Sequence, residues 1–175
     1  MAFEWEVALN IAKRLQEAIT KEGLGFPTQN KVDYLTLYDN QVQSAQIRKS
    51  TRKLFFDGHY ARAVEEAYKC LNNFVKAKSG LITVDGQDLM NQALSLKNPA
   101  LKLNSLKTVT QRDEQLGYMQ ILGGCMTGIR NPRAHDETKV DSPQDALALI
   151  VWADYLVNVV GKAKRTSKNK GVTTT

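Results

Sequence analysis

The segment that most constrains the fold runs from Ser142 to Val160. Ser142-Pro143-Gln144-Asp145 is a helix start, with a capping hydroxyl, a proline at the first helical position and an acid in the first turn. The helix beyond it is apolar nearly all round, through Leu147, Leu149, Ile150, Val151, Trp152, Leu156, Val157, Val159 and Val160. Such a helix must be covered on most sides. Its expected place is the centre of a helical bundle, with a share in an oligomer contact.

Helical period recurs along the chain. Phe3 to about Lys21 carries Trp5, Ala8, Ile11, Leu15 and Ile19 at spacings of three and four, and Gly23 to Pro27 breaks it. Residues 31–39 fit a strand or a short helix. A helix is expected from about Asn40 to Phe56, and its stripe of Arg48, Lys49, Arg52 and Lys53 reads as a solvated face rather than a nucleic-acid contact. Asp57-Gly58 is expected to cap the next helix, about His59 to Lys78, which buries Ala63, Val64, Ala67, Tyr68, Leu71, Phe74 and Val75 and pairs Glu65 with Lys69. Ser79-Gly80 closes it. Then come a short extended run at Leu81–Val84, a turn at Asp85–Asp88, a short helix from Leu89 to Leu96, and a loop at 99–110 held by Leu101, Leu103 and Leu106. Another long helix runs from Arg112 to about Ile129. Gly117, Gly123, Gly124 and Gly128 inside it cost about 1 kcal/mol each relative to alanine. Close approach of a neighbouring helix or a partner subunit would explain them. The sum is an all-α bundle.

A chain of 175 residues can bury a core without disulfides. Cys70 and Cys125 lie in apolar helical patterns and read as reduced core residues. No Cys/His cluster has zinc spacing, so no metal or other cofactor is expected. No segment has the ~18 uninterrupted apolar residues of a membrane span, and the acid-bearing N-terminus lacks a secretory h-region. A cytoplasmic protein without membrane contact is the expectation. Of the net charge of +6, Lys162, Lys164, Arg165, Lys168 and Lys170 account for all but about +1. The basic balance belongs to a tail, expected to be solvated and disordered from 163 to 175.

The stretch that can carry chemistry is Gly128-Ile129-Arg130-Asn131-Pro132-Arg133-Ala134-His135-Asp136. It falls where the long apolar segment gives way to an expected polar turn. His135 is one of two histidines and suits proton transfer near neutral pH. Arg130 suits a phosphate grip. His59, in the first turn of its helix, reads as structural or solvated. Taken alone, the Arg-x4-His element also fits a plain helix end, with Arg130 on terminal carbonyls, Pro132 stopping the helix and His135 bonded within the turn.

Three blocks together are more specific. Leu54-Phe55-Phe56-Asp57-Gly58-His59-Tyr60-Ala61-Arg62-Ala63-Val64-Glu65-Glu66-Ala67-Tyr68-Lys69, then Asp85-Gly86-Gln87-Asp88-Leu89-Met90, then Gly128 to His135 resemble the Ymh-type, abortive-infection-like branch of the HEPN superfamily. The resemblance covers about residues 50–160. It implies a four- to five-helix HEPN-like bundle over 46–162 with an N-terminal helical extension over 1–45. It also implies a homodimer in which two Arg-x4–6-His elements face one another, and a metal-independent endoribonuclease of toxin or antiviral-defence type.

On that reading Arg130, Asn131 and His135 are the catalytic set. His135 serves as base or acid, Arg130 as an electrostatic clamp, and Asn131 orients the phosphate or the imidazole. Arg133 is a weaker candidate for RNA phosphate contact. RNA supplies its own nucleophile, so 2′,3′-cyclic phosphate and 5′-hydroxyl ends are expected, and DNA should resist. The competing reading is a non-catalytic binding or assembly module of a defence complex, and a sensor or regulatory protein partner fits either. An enzyme acting on nucleotides is disfavoured, because there is neither a glycine-rich phosphate loop nor a cluster of metal-binding acids.

Overall fold

The structure, a computed structural model, describes residues 33–166 together with Lys13, Arg14 and Glu17. It divides into two compact units, Met1–Asp33 and Tyr34–Thr175. The helix expected over Phe3–Lys21 lies outside the described residues, apart from Lys13, Arg14 and Glu17, which are helical.

The second unit is an all-α bundle. Its elements are α1 (Tyr34–Gln41), α2 (Ala45–Phe56), α3 (Tyr60–Ser79), α4 (Gly86–Ala93), β1 (Leu101–Lys102), α5 (Val109–Gly124), a π-helical segment (Cys125–Arg130), α6 (Asn131–His135), α7 (Pro143–Lys162) and β2 (Lys164–Arg165). Of the ambiguous 31–39 stretch, Tyr34 to Asp39 are helical, and a break at 42–44 separates α1 from α2. The unit therefore begins at Tyr34 rather than at residue 46. The physical reason is Tyr38: it is fully buried, stacks on Phe55 at 5.0 Å, and its hydroxyl lies 2.6 Å from that of Thr51.

The hub is α3, which packs against α2, α4, α6, α7 and the π segment. Its buried face is the expected one, except that Phe74 is only half-buried. Glu65 joins the buried set because Lys69 and Arg62 neutralise it at 2.7 Å each. Gly80 ends α3 in the left-handed conformation at φ 78°. Asp57 closes α2 instead of capping α3. Gly58 at φ 82° reverses the chain between them, leaving His59 at the cap position with no side-chain bond.

The apolar helix α7 starts as expected, Ser142 accepting from the Asp145 amide at 3.0 Å. It is not covered on most sides. Ala146, Ile150, Ala153, Leu156, Val157 and Val160 enter the core, whereas Trp152 and Tyr155 are 39% and 46% exposed and stack on one another at 5.4 Å. The hydroxyls of Tyr155 and Tyr118 meet at 2.7 Å, bridging α7 and α5 across the surface.

Two further expectations are revised. Leu81–Val84 makes no strand. The only ladder among the described residues pairs Leu101 with Arg165 and Lys102 with Lys164, antiparallel. Residues 164–166 therefore belong to the fold, with Thr166 donating to the carbonyls of Ala100 and Pro99; the tail from 167 lies outside the described residues. Helix α5 starts earlier than expected, at Val109, because Thr108 and Gln111 form a reciprocal capping box. Buried Gln115 then ties the loop to it, donating to the carbonyls of Leu94 and Leu101 and accepting from the Leu103 amide. Among the described residues no helix is long and apolar enough to cross a membrane.

Candidate functional site

The Arg130–His135 stretch is not a turn. The chain passes from α5 through the π segment into α6 without leaving helical backbone, and only Asp136 is extended. Pro132 accounts for this. It has no N–H to give, and its ring crowds the carbonyl one turn back, which in an ordinary α-helix breaks the run. The turn before it is instead wound wider, so the Asn131 amide donates to Met126, five residues back. A π-turn of this kind absorbs the misfit, and such turns are frequent at functional sites. The strip stays helical and the motif is carried on a rigid element.

Cys125 and Met126 hold the π segment to the core from below. Burial pushes the Cys125 thiol up, so it stays a protonated core residue, whereas Cys70 is only half-buried. Tyr68 of α3, whose hydroxyl burial likewise pushes up, donates to the Leu149 carbonyl at 3.1 Å and locks α3 to α7 beneath the site. Helix α4 packs against the α5 end of the strip. A Cβ at Gly123 would meet the Gln87 side chain at 3.4 Å, an ordinary contact, so α4 lies close there but does not require glycine. Gly117, Gly124 and Gly128 have open space around the missing Cβ, and no such approach explains them.

The two arginines differ completely. Arg133 is inside: its Nε and Nη2 donate to Asp141 at 2.6 Å each, and its Nη1 donates to the Ile129 carbonyl at 2.8 Å. The two side chains are only 7% and 6% exposed. Arg133 is thus committed to closing the connection before α7, and its guanidinium is not offered to a phosphate. Arg130 is half-buried and has no ion-pair partner among the described residues. Its Nη1 donates to the Asn131 Oδ1 at 3.0 Å. Asn131 therefore orients the guanidinium rather than the imidazole. His135, the last residue of α6, is exposed. Asp136 then ends the element, accepting from the amide and hydroxyl of Thr138, which hold its carboxyl below the usual range.

Asp85, expected in the turn that caps α4 and the first residue of the second block, sits at that N-cap and lies close enough to feel the Arg130 charge. Asp85 bridges α3 to the start of α4 through Lys76 at 2.6 Å and Asn72 at 2.9 Å. Lys76 first, then Asn72, lower its pKa, and the Arg130 charge adds a smaller pull in the same direction. Asp85, in the second block, is thus held by α3 and lies within the field of Arg130, in the third. On the other side a cavity of about 350 Å³ opens between the start of α3 and the 133–141 connection, with His59, Arg62, Asp136 and Lys139 on its wall.

The basic stripe on α2 is largely ion-paired. Asp39 takes both Arg48 and Arg52 at 2.8 Å, Arg52 also lies 4.0 Å over the Phe56 ring, and Lys53 pairs with Asp57. Among the described residues no group of three or more His, Cys, Asp and Glu side chains is placed to hold a metal ion.

A family model described as "Protein of unknown function (Hypoth_ymh)" matches residues 42–160, which takes in α2 to α7 and all three blocks. No curated protein and no solved structure matches the chain.

Proposed function

The chain belongs to the Hypoth_ymh family, and from the geometry of its Arg130–His135 element we propose that it is a HEPN-type, metal-independent endoribonuclease acting as a homodimer in toxin-like or antiviral defence. The observation that carries this reading is the state of Arg130. It is a guanidinium aimed by Asn131, with no carboxylate within ion-pair distance among the described residues, and set five residues from an exposed histidine on one π-wound helix. A cation held this way, with its charge unspent, suits a phosphorane, where negative charge grows during reaction.

In the proposed reaction one imidazole takes the proton from the 2′-hydroxyl. The 2′-oxygen forms a bond to phosphorus, and the bond from phosphorus to the 5′-oxygen breaks. That oxygen leaves with a proton from a second imidazole. One His135 per chain provides both roles only if two chains pair. The exposed Ile121, Trp152 and Tyr155, with the half-buried Tyr118 bonded to Tyr155, support pairing, since stacked aromatics at a surface are suited to an interface. The same strip supports the second reading, an assembly module whose partner covers it without catalysis.

The test is total-RNA cleavage in EDTA by wild type, Arg130→Ala and His135→Ala, with masses by light scattering. Cleavage by a wild-type dimer alone, leaving 2′,3′-cyclic phosphate and 5′-hydroxyl ends, is the expected result. A folded dimer that leaves RNA intact moves the weight to the assembly module. Cleavage that yields 3′-hydroxyl ends overturns the mechanism.

A further inference from the structure

Helix α4 borders the Arg130 strip, and its side of the border carries two uncommitted amides. Gln87 and Asn91 lie four residues apart on one exposed face of α4. Both reach α5 at Gly123: a Cβ there would lie 3.4 Å from the Gln87 Cγ and 3.9 Å from the Asn91 Oδ1. Neither side-chain amide makes a hydrogen bond among the described residues, whereas Asn72, Asn104 and Gln115 spend theirs on the fold.

Two observations set this pair beside Arg130. Asp85, the N-cap of α4, lies within the field of the Arg130 charge, so the start of α4 and the guanidinium are neighbours. Gly123 precedes Arg130 by seven residues of continuous helical backbone, a rise of roughly 10 Å. The surface between them is low. Gly124, Thr127 and Gly128 are exposed, and a Cβ at either glycine would meet nothing within 4 Å. Bare backbone there lets a flat ring come close. Thr127 turns its hydroxyl back onto the Gly123 and Gly124 carbonyls at 3.3 Å, which leaves the two amides of α4 to meet a ligand.

We propose that Gln87 and Asn91 read the base beside the scissile phosphate, and that this base is an unpaired adenine. The proposal deepens the ribonuclease reading and rests on it. A carboxamide offers an acceptor oxygen and two N–H donors. Its oxygen can accept from the N6 amino group of adenine while its N–H donates to N7, the usual pairing of Asn and Gln with a base edge. Single-stranded RNA can present that edge, because its bases splay out of the stack. With Arg130 on the phosphate and α4 on the base, the two contacts together fix where along a strand the cut falls.

The experiment uses the full chain and two probes, oligouridylate and the same oligomer carrying a single adenosine. Cleavage is mapped with wild type, and binding without turnover is measured by fluorescence anisotropy with His135→Ala. Each is repeated with Gln87→Met/Asn91→Leu added, and with Gln87→Met alone in case the double variant misfolds. The adenosine oligomer should bind about 10-fold more tightly than oligouridylate and be cut chiefly beside the adenosine. The double variant should lose both preferences and still cut oligouridylate as wild type does. Gln87→Met alone should lose part of them. Cleavage with no preference for adenosine, or with a preference that the variants keep, overturns the proposal and leaves the ribonuclease reading standing. A preference for another base overturns the assignment of adenine. Adenosine-dependent binding that the variants lose, from a wild type that cuts neither oligomer, upholds the base contact and overturns the ribonuclease reading instead. No binding of either oligomer by the folded chain overturns the proposal.

Discussion

Arg130 and Arg133 lie three residues apart on one distorted helix, and their guanidiniums end in opposite environments. Arg133 spends its donors on Asp141 and the Ile129 carbonyl, away from water. Arg130 spends one on Asn131 and keeps its charge unneutralised at the surface. Adjacent cations in a motif are thus not equivalent. One is a structural clasp that fixes the element, and the other is the charge the element presents. The difference between them comes from a carboxylate eight residues beyond Arg133, Asp141, placed by the connection into α7.

The sharpest way to break this contrast is Arg133→Met. It leaves Asp141 charged and almost solvent-free, and breaking one side of a buried pair costs about 3–5 kcal/mol. Urea unfolding should show a loss of that size. Adding Asp141→Leu should recover most of it, because replacing the whole pair with apolar groups removes the stranded charge. A loss below about 1 kcal/mol for the single variant would mean that the pair is open to water and the clasp is not what holds α6.

Arg130→Ala and His135→Ala should behave in the opposite way. Unfolding free energy should move by no more than about 0.5 kcal/mol, the usual range for surface substitutions. RNA cleavage should fall by about 10²–10³ for the arginine and by about 10²–10⁴ for the histidine, the scales for a lost electrostatic stabiliser and a lost proton carrier. If Arg133→Met removes cleavage at a temperature where it is still folded while Arg130→Ala does not, the assignment of the two arginines is reversed.

Much of this was legible from the chain alone, and the exceptions have specific causes. The face of α3 and the start of α7 follow from local pattern, since apolar period and capping residues act over a few positions. The fate of Arg133 depends on Asp141 beyond an intervening loop, and the burial of Tyr38 depends on Thr51 and Phe55; neither pairing has a local signal. The Arg130–His135 stretch reads as a turn because proline ordinarily ends a helix. The π-turn that keeps it helical depends on a backbone bond, from Asn131 to Met126, that no side-chain pattern encodes. Helix α7 reads as buried on most sides because composition cannot tell a core-facing tryptophan from the exposed Trp152–Tyr155 stack.

Pro132→Ala sharpens the comparison through the backbone. The alanine returns an N–H to the helix, worth about 0.5–1.5 kcal/mol if bonded, and loses the proline's restriction of the unfolded chain, about 0.4–1 kcal/mol. Stability should therefore change by less than about 1 kcal/mol. If the π-turn relaxes to α-winding, Asn131 to His135 rotate relative to Arg130, and a shift of about 1 Å can cost up to about 10²-fold in rate. Slower exchange at restored α-helical amides together with reduced cleavage is the expected pair of results. Unchanged cleavage with altered exchange would separate the site from the winding.

The smallest effect concerns Asp85, the carboxylate that Arg130 influences without pairing. Its pKa is lowered chiefly by the bonds from Lys76 and Asn72, with Arg130 contributing least. A lowered carboxyl pKa favours the folded state above the unfolded value near 3.8, and that contribution is lost as pH falls through the folded value. Carbonyl chemical shifts tracked from about pH 6 to about pH 2 should therefore place the Asp85 titration below that of a free aspartate. Lys76→Met should move it clearly upward, and Arg130→Met upward by less. An Arg130→Met shift as large as that of Lys76→Met would mean that Arg130 is paired with Asp85 in solution. In that case its charge would be partly spent, and the contrast with Arg133 would be one of degree.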